Sequence, residues 1–223
     1  MTTKAYGYLM GIGLSITMLF ILLQGDVESW HSSGPLNPGH EKLACKECHI
    51  PSDGSIRQQL QANTQYLLGQ RTREHDFVFT KISNKQCVAC HDRENDLHPT
   101  YRFNEPKFIK VREKIHPEYC ISCHQEHSGH RVSHFSPTDC KLCHEEMRIE
   151  DDSITVPHHE LIEREDWETC LGCHDFHGNH DMEIEQTVGR HLKFKKIQDY
   201  FDTAPSPYSG ELIHKAKKSI YEK

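Results

Sequence analysis

The stretch "CISCHQEHSGH" at residues 120–130 returns fifty positions later as "CLGCHDFHGNH" at residues 170–180. At this offset both cysteines and all three histidines coincide, so the two stretches form an internal repeat. Each copy begins with the pattern C-x-x-C-H. Two thiols and one imidazole within five residues indicate a site where a metal or a metal-containing cofactor is held by both kinds of side chain.

The pattern C-x-x-C-H occurs five times and uses all ten cysteines of the 223-residue chain. A disulfide framework would not place a histidine after every pair, and zinc sites normally combine two such pairs, which an odd number does not allow. The pattern is the attachment signature of a c-type haem, with two thioether links and the adjacent histidine as proximal iron ligand. We therefore predict five covalent haem c groups at Cys45, Cys48 and His49; Cys87, Cys90 and His91; Cys120, Cys123 and His124; Cys140, Cys143 and His144; and Cys170, Cys173 and His174.

The composition leaves little material for a core of side chains. Only 35% of residues are hydrophobic, and many of these lie in one N-terminal run. Five macrocycles would fill the interior, so we expect a mainly α fold with extensive loop and little or no β, organised around five haems. Residues 55–69 show helical spacing with Asp53 or Ser55 as cap and Gly69 as stop, and residues 105–118 show it with Pro106 at a helix-opening position. Each motif is expected to form a single helical turn.

Histidine is the expected second iron ligand, because 14 of the 19 histidines lie outside the motifs and few methionines lie beyond the N-terminal run. An iron with two imidazoles has no vacant site, which favours electron transfer over catalysis. The candidate distal ligands, with at most one from the adjacent pair, are His40, His75, His98, His127, His158, His159 and His177. We expect His116, His130, His134 and His180 to be surface or supporting residues, and His31, His191 and His214 not to be ligands.

The repeated stretches suggest how neighbouring haems are joined. His127 and His177 each follow a motif histidine by three residues, and residues at this spacing in a helical turn project from similar faces. His127 therefore should not reach the iron of His124. We expect both residues to bind the iron of a neighbouring haem.

The chain divides into four predicted segments. Residues 1–24 form a transmembrane anchor or, alternatively, a signal peptide, 25–39 a linker, 40–180 the haem region and 181–223 a haem-free tail. Charge flanking the apolar run places the body outside the cytoplasm. The chain carries a net charge of −7, yet residues 190–223 carry eight basic and four acidic residues. This tail is either a solvated face or an arm that docks on an acidic surface; nucleic-acid binding is not indicated.

With these five motifs and the stretches "CHQEH" and "CHDFHGNH", the chain resembles multihaem c-type cytochromes of the cytochrome c3-like class with one N-terminal anchor. The resemblance implies low-potential, closely spaced bis-histidine haems that serve periplasmic electron transfer. Small c3 proteins differ in having four haems and no anchor. No motif here has the lysine of catalytic C-x-x-C-K sites, and the pentahaem subunit of alternative complex III is also compatible.

We therefore expect an electron-transfer protein rather than an enzyme. It would be held by a single-pass anchor at the periplasmic side of the bacterial inner membrane, between a membrane redox partner and a soluble or complex-bound protein. The alternatives are a quinol dehydrogenase, a small-molecule reductase with one open iron, or a subunit of a larger respiratory complex.

Overall fold

The computed structural model describes residues 3–22, 32–180, 182, 186–208, 210 and 212–217. Over these residues the chain is mainly helical and contains no strand, only isolated β-bridges between Pro51 and Phe79 and between His180 and Leu212. The prediction of a mainly α fold with extensive loop is confirmed at this level.

Most of the helices are short. In the described residues the α-helices are α1 Thr3–Leu22, α2 Ile56–Leu67, α3 Asn84–His91, α4 Ile109–Ile115, α5 Lys141–His144, α6 His158–Glu163, α7 Cys170–Cys173 and α8 Phe194–Asp202. Single 3-10 turns lie at Cys45–Glu47, Thr100–Asn104, Pro106–Phe108, Cys120–Ser122, Pro137–Cys140, Trp167–Thr169 and Val188–Arg190.

Helix α1 is long and apolar enough to cross a membrane. Its window Lys4–Ile21 has a mean hydropathy of 1.3, and none of that window is buried against the rest of the protein. A helix of 20 residues spans about 30 Å, the thickness of a hydrocarbon core. The N-terminal segment therefore has the length and composition of a membrane anchor or a signal sequence. Residues 23–31, with His31 and most of the predicted linker, lie outside the described residues.

Both helices that the sequence predicts are present. Ser55 caps α2 through a capping box with Gln58, and Gly69 follows the helix with a φ of +71°. The apolar residues Ile56, Leu60 and Leu67 are exposed, however, and the buried residue of this helix is Gln59. Its amide donates to carbonyls of residues 52–54 and accepts from the backbone of residue 78, so α2 is held by polar contacts.

The predicted proline start of the second helix is also confirmed. A 3-10 turn at Pro106–Phe108 leads into α4, and Val111 is buried on its inner face. The ring of Phe108 lies edge-on to Phe103, with centroids 5.4 Å apart. The helix ends at His116, which has a left-handed backbone.

The side-chain core is small, and part of it lies where α7 contacts α8. In the part of the chain described, the buried apolar residues are Phe103, Val111, Trp167, Leu171, Ile197 and Tyr208. Residues 186–208 of the tail pack against the body: the guanidinium of Arg131 lies 5.0 Å from the ring of Tyr200, and the Tyr208 hydroxyl donates to the Leu171 carbonyl. This stretch of the tail is therefore part of the fold.

Gly172 allows this close packing and provides a test of it. A Cβ at Gly172 would lie 2.5 Å from the Leu192 carbonyl oxygen and 2.7 Å from His191, whereas a Cβ at Gly189 meets nothing within 4 Å. We expect Gly172→Ala to lower the free energy of unfolding by about 1–3 kcal/mol. Gly189→Ala is the control and should leave it unchanged. Chemical denaturation measures both, and equal stability of the two variants would contradict the packing described.

Candidate metal centres

Each C-x-x-C-H motif lies on a helical turn, as expected. The first and third motifs begin with a 3-10 turn, and the fifth begins with the α-helical turn α7. The fourth begins at the end of a 3-10 turn and continues into α5, and the second lies in the longer helix α3. The backbone closes the turn tightly: the amide of His49 donates to Cys45, that of His124 to Cys120 and that of His174 to Cys170, at 2.8–3.0 Å. The two cysteines and the histidine of a motif are thereby held as one local unit.

The structure describes all ten cysteines, and no disulfide joins any two of them. The thiols of Cys87 and Cys120 lie close enough to interact, and this interaction lowers the pKa of Cys120. A hydrogen bond from Cys140 likewise lowers the pKa of Cys170. The second motif therefore adjoins the third, and the fourth adjoins the fifth.

Five pairs of histidine rings face one another across the molecule. Each pair contains one motif histidine and one histidine from outside the motifs, and the ring centroids are 5.9–6.2 Å apart. The pairs are His49 with His127, His91 with His40, His124 with His177, His144 with His98, and His174 with His158. Every motif histidine occurs once, and so does every partner histidine.

The five partner histidines all belong to the seven candidates from the sequence. The other two candidates are not among these pairs. His75 is bound through its backbone to the Asn63 side chain and through Nδ1 to the Asp76 carbonyl, and His159 is exposed beside the paired His158.

His127 and His177 face motif histidines other than their own, and the cause is not the one that the sequence suggested. The chain leaves the helical conformation after the second cysteine, so residues 124–127 and 174–177 form turns rather than a continuing helix. His127 has a φ of +62°, and Gly178 after His177 has a φ of +67°. The turn, and not the spacing of helix faces, directs each ring away from its own motif.

Three partner histidines are held by carboxylates. Nδ1 of His40 lies 2.8 Å from Glu126, Nδ1 of His177 lies 3.1 Å from Asp96, and Nδ1 of His158 lies 3.0 Å from Asp152. Partial burial alone would raise the pKa of Glu126 and of Asp96, but the hydrogen bonds from His40 and His177 hold both pKa values below their usual range. These acceptors are therefore anionic at neutral pH.

The other two partner histidines donate to neutral oxygens. Nδ1 of His98 lies 2.5 Å from the Phe176 carbonyl, and its ring stacks on the Phe176 ring with centroids 4.2 Å apart. Nδ1 of His127 lies 3.1 Å from the Gly34 carbonyl and 2.7 Å from the Ser32 hydroxyl. In all five partner histidines Nδ1 is thus engaged as a donor, which leaves Nε2 as the nitrogen with a free lone pair.

A buried asparagine fixes one of these arrangements. The side chain of Asn37 donates to the Gln125 carbonyl and accepts from the backbone amides of Ser128 and Gly129. The backbone amide of Asn37 donates to the Glu126 carboxylate. The segment that carries His40 is thereby docked on the turn that carries His127. Asn37, Glu126, Asp96 and Asp152 were not predicted as site residues, because nothing in their local sequence distinguishes them from other polar residues.

Several of the remaining histidines have structural contacts instead. His180 is buried, with Nδ1 2.6 Å from Asp175 and Nε2 3.3 Å from the Ser206 hydroxyl, so it ties the tail to the fifth motif. His130 pairs with Asp202 at 2.6 Å. His116 ends α4, and His191 bonds through Nδ1 to the Val188 carbonyl.

No metal site made of protein ligands alone is present among the described residues, since no three His, Cys, Asp or Glu side chains gather closely enough to hold an ion. The centres instead offer two imidazoles each. Comparison with family models, curated proteins and solved structures found no match for the chain.

Proposed function

We propose that the chain is an exported, membrane-anchored pentahaem cytochrome c that transfers electrons through bis-histidine haems. The five C-x-x-C-H motifs would attach the haems, their histidines would be the proximal ligands, and the partner histidines His40, His98, His127, His158 and His177 would be the distal ligands. The haems would supply reversible one-electron exchange. The observation that carries the proposal is the set of five histidine pairs.

The spacing of the pairs fits this assignment. An imidazole nitrogen lies about 1.1 Å from the ring centre and about 2 Å from a metal that it binds, so two imidazoles on opposite sides of one metal have centroids roughly 6.2 Å apart. The measured separations of 5.9–6.2 Å agree with this value. Each pair would give one haem iron two histidine ligands, which is the number of protein ligands that a bis-histidine haem takes.

A buried cation gives a second, independent fit. Nη1 of Arg93 is buried without a hydrogen-bond partner. Desolvation by surrounding protein lowers the pKa of His91 and of His124, although both residues keep exposed surface, and the positive charge of Arg93 lowers both further. A guanidinium that has a buried nitrogen without a partner, and whose charge acts on two motif histidines, suits an anionic carboxylate such as a haem propionate.

The arrangement of the pairs favours electron transfer along a connected set of centres. The turn at residues 124–127 carries one histidine from each of two pairs, and the turn at 174–177 does the same. Residues three positions apart are separated by at most about 11 Å of backbone, so these pairs are neighbours. The contacts between Cys87 and Cys120 and between Cys140 and Cys170 connect the second and fourth motifs to the same set.

The N-terminal helix supports a location at a membrane. Its charge pattern favours a body on the periplasmic side of a bacterial inner membrane, where covalent haem attachment takes place. We propose redox proteins as partners, one membrane-bound and one soluble or part of a larger respiratory complex. Residues 190–223, with eight basic residues, provide a candidate contact for an acidic partner.

The first prediction concerns the cofactor itself. Protein purified after expression with a haem-attachment system should carry five haems per chain by pyridine haemochrome absorbance and intact mass. Because the ten thiols would be consumed, no cysteine should react with an alkylating reagent after denaturation. Stoichiometric zinc together with ten reactive thiols would contradict the proposal.

The second prediction concerns the distal ligands. Alanine at His40, His98, His127, His158 or His177 should keep five haems but convert one of the five from low to high spin, measured by EPR of the oxidised protein. Added imidazole should restore the low-spin signal, because it occupies the position of the missing side chain.

The sharpest control uses two adjacent residues. His158→Ala should produce one high-spin centre and His159→Ala none, although the two residues are neighbours in the chain. His75→Ala should likewise leave all five haems low spin. A high-spin signal from His159→Ala, with none from His158→Ala, would show that the fifth centre is assigned to the wrong residue.

A cavity beside the third motif favours quinol oxidation as a second candidate function. It measures about 300 Å³ and is lined by Phe135, Phe194 and Phe201 together with the His130–Asp202 pair. The backbone of Ser133, which also lines it, donates to the Cys123 carbonyl at 2.8 Å. Aromatic walls suit a quinol ring, and a histidine–carboxylate pair suits removal of its proton.

This second function predicts a kinetic effect at His130. Reduction of the oxidised protein by a water-soluble quinol should slow by about 100-fold in His130→Ala, because a general base has been lost, while reduction by dithionite should not change. Stopped-flow absorbance measures both rates. His134→Ala, which does not line the cavity, is the control, and equal quinol rates in all three proteins would exclude this site.

A further inference from the structure

The partner histidines form two classes according to the charge of the group that accepts their Nδ1 proton. His40, His177 and His158 donate to the carboxylates of Glu126, Asp96 and Asp152, at 2.8–3.1 Å. His98 and His127 donate to neutral oxygens. In all five rings Nδ1 is engaged and Nε2 is the nitrogen left with a lone pair, so the classes differ in electrostatics rather than in ligand type.

We infer that Glu126, Asp96 and Asp152 are positioning residues that lower the reduction potential of three centres below that of the other two, an inference that rests on the proposed function. A carboxylate draws the Nδ1 proton towards itself, which makes the imidazole a stronger electron donor to the metal. Its negative charge also stabilises the ferric state over the ferrous state. Both effects favour the oxidised centre.

The internal repeat shows where two members of the different classes diverge: the group that accepts the Nδ1 proton stands at the same position of the repeat in both copies. Glu126 and Phe176 correspond at the offset of fifty residues. Each holds the distal candidate of another centre: Glu126 binds His40 through its side-chain carboxylate, and Phe176 binds His98 through its backbone carbonyl. The same position of the repeat thus binds a histidine through a charged carboxylate in one copy and through a neutral carbonyl in the other.

The environment of each carboxylate predicts the order of the effect. The side chain of Asp152 is 11% exposed, that of Asp96 19% and that of Glu126 29%. Asp152 also accepts from the backbone amide of His158 and places both oxygens within 3.1 Å of Nδ1. Because charge interactions weaken with solvent access, neutralising Asp152 should have the largest effect and neutralising Glu126 the smallest.

The test removes the charge and keeps the shape. In Asp152→Asn, Asp96→Asn and Glu126→Gln, an amide oxygen can still accept from Nδ1. Potentiometry of the full chain, followed by haem absorbance, should show one of five reduction steps shifted to higher potential in each variant. EPR of the same samples should show that every haem remains low spin and that the g-values of one centre change.

Neighbouring carboxylates supply the matched controls. Asp151→Asn, Asp92→Asn and Glu41→Gln remove the same charge from exposed positions close in sequence to Asp152, Asp96 and His40. Because these carboxylates do not accept from the Nδ1 of a partner histidine, the control variants should shift the five steps less than their partner variants do. If a control variant shifted a reduction potential as much as its matched test variant, the effect would come from general surface charge, and the inference would be overturned.

The remaining outcomes separate this inference from the proposed function. Five low-spin haems with unchanged potentials in all three variants would overturn the tuning role and leave the pentahaem assignment intact. Conversion of a haem to high spin would overturn it too, because the carboxylate would then be needed to hold the ligand. A protein without covalent haem would instead overturn the proposed function.

Discussion

The rest of the structure depends on five pairs of imidazoles, in each of which a hydrogen bond at Nδ1 holds the partner histidine opposite its motif histidine. All but one of the five pairs join residues more than forty positions apart, so each closes a long loop of chain. The closure entropy of such loops must be offset, and the few buried apolar residues around Ile197 offset little of it. On the proposed function, iron–histidine bonds and thioether links supply the difference, and folding and haem attachment are then one process.

The two copies of the repeated stretch are connectors as much as attachment sites. In each copy the chain leaves its helical turn after the second cysteine, and the histidine at the eighth position, His127 or His177, lies opposite the histidine of a different motif. The residue before it, Glu126 or Phe176, binds a histidine from an earlier segment of the chain. Asn37 completes the first connection by binding the turn at residues 125–129. Two short turns therefore fix the relative positions of several pairs, which explains how a chain with little regular structure keeps a defined arrangement.

The sequence predicted the local features well, because they depend on local chemistry. The motif turns, the capped helix at Ile56–Leu67 and the proline start at Pro106 follow from spacing and capping rules. The pairing of histidines could not be read in this way, since it depends on contacts across the chain. The burial of Gln59 in place of the leucines of its helix could not be predicted either, because this side chain donates to a carbonyl just before the helix and accepts from the amide of Val78, 19 residues further along the chain.

The geometry of the pairs also bears on the choice of metal centre. Two imidazoles on a tetrahedral zinc ion have ring centroids roughly 5.1 Å apart, and on opposite sides of an iron roughly 6.2 Å. The shortest of the five separations is 5.9 Å, closer to the second arrangement. Zinc would also need two more protein ligands at each centre, and the described residues offer no such group of three or more. On the proposed function, five pairs with nearly the same spacing, each beside two cysteines of its own motif, would each hold a planar ligand that supplies its own nitrogens to the metal.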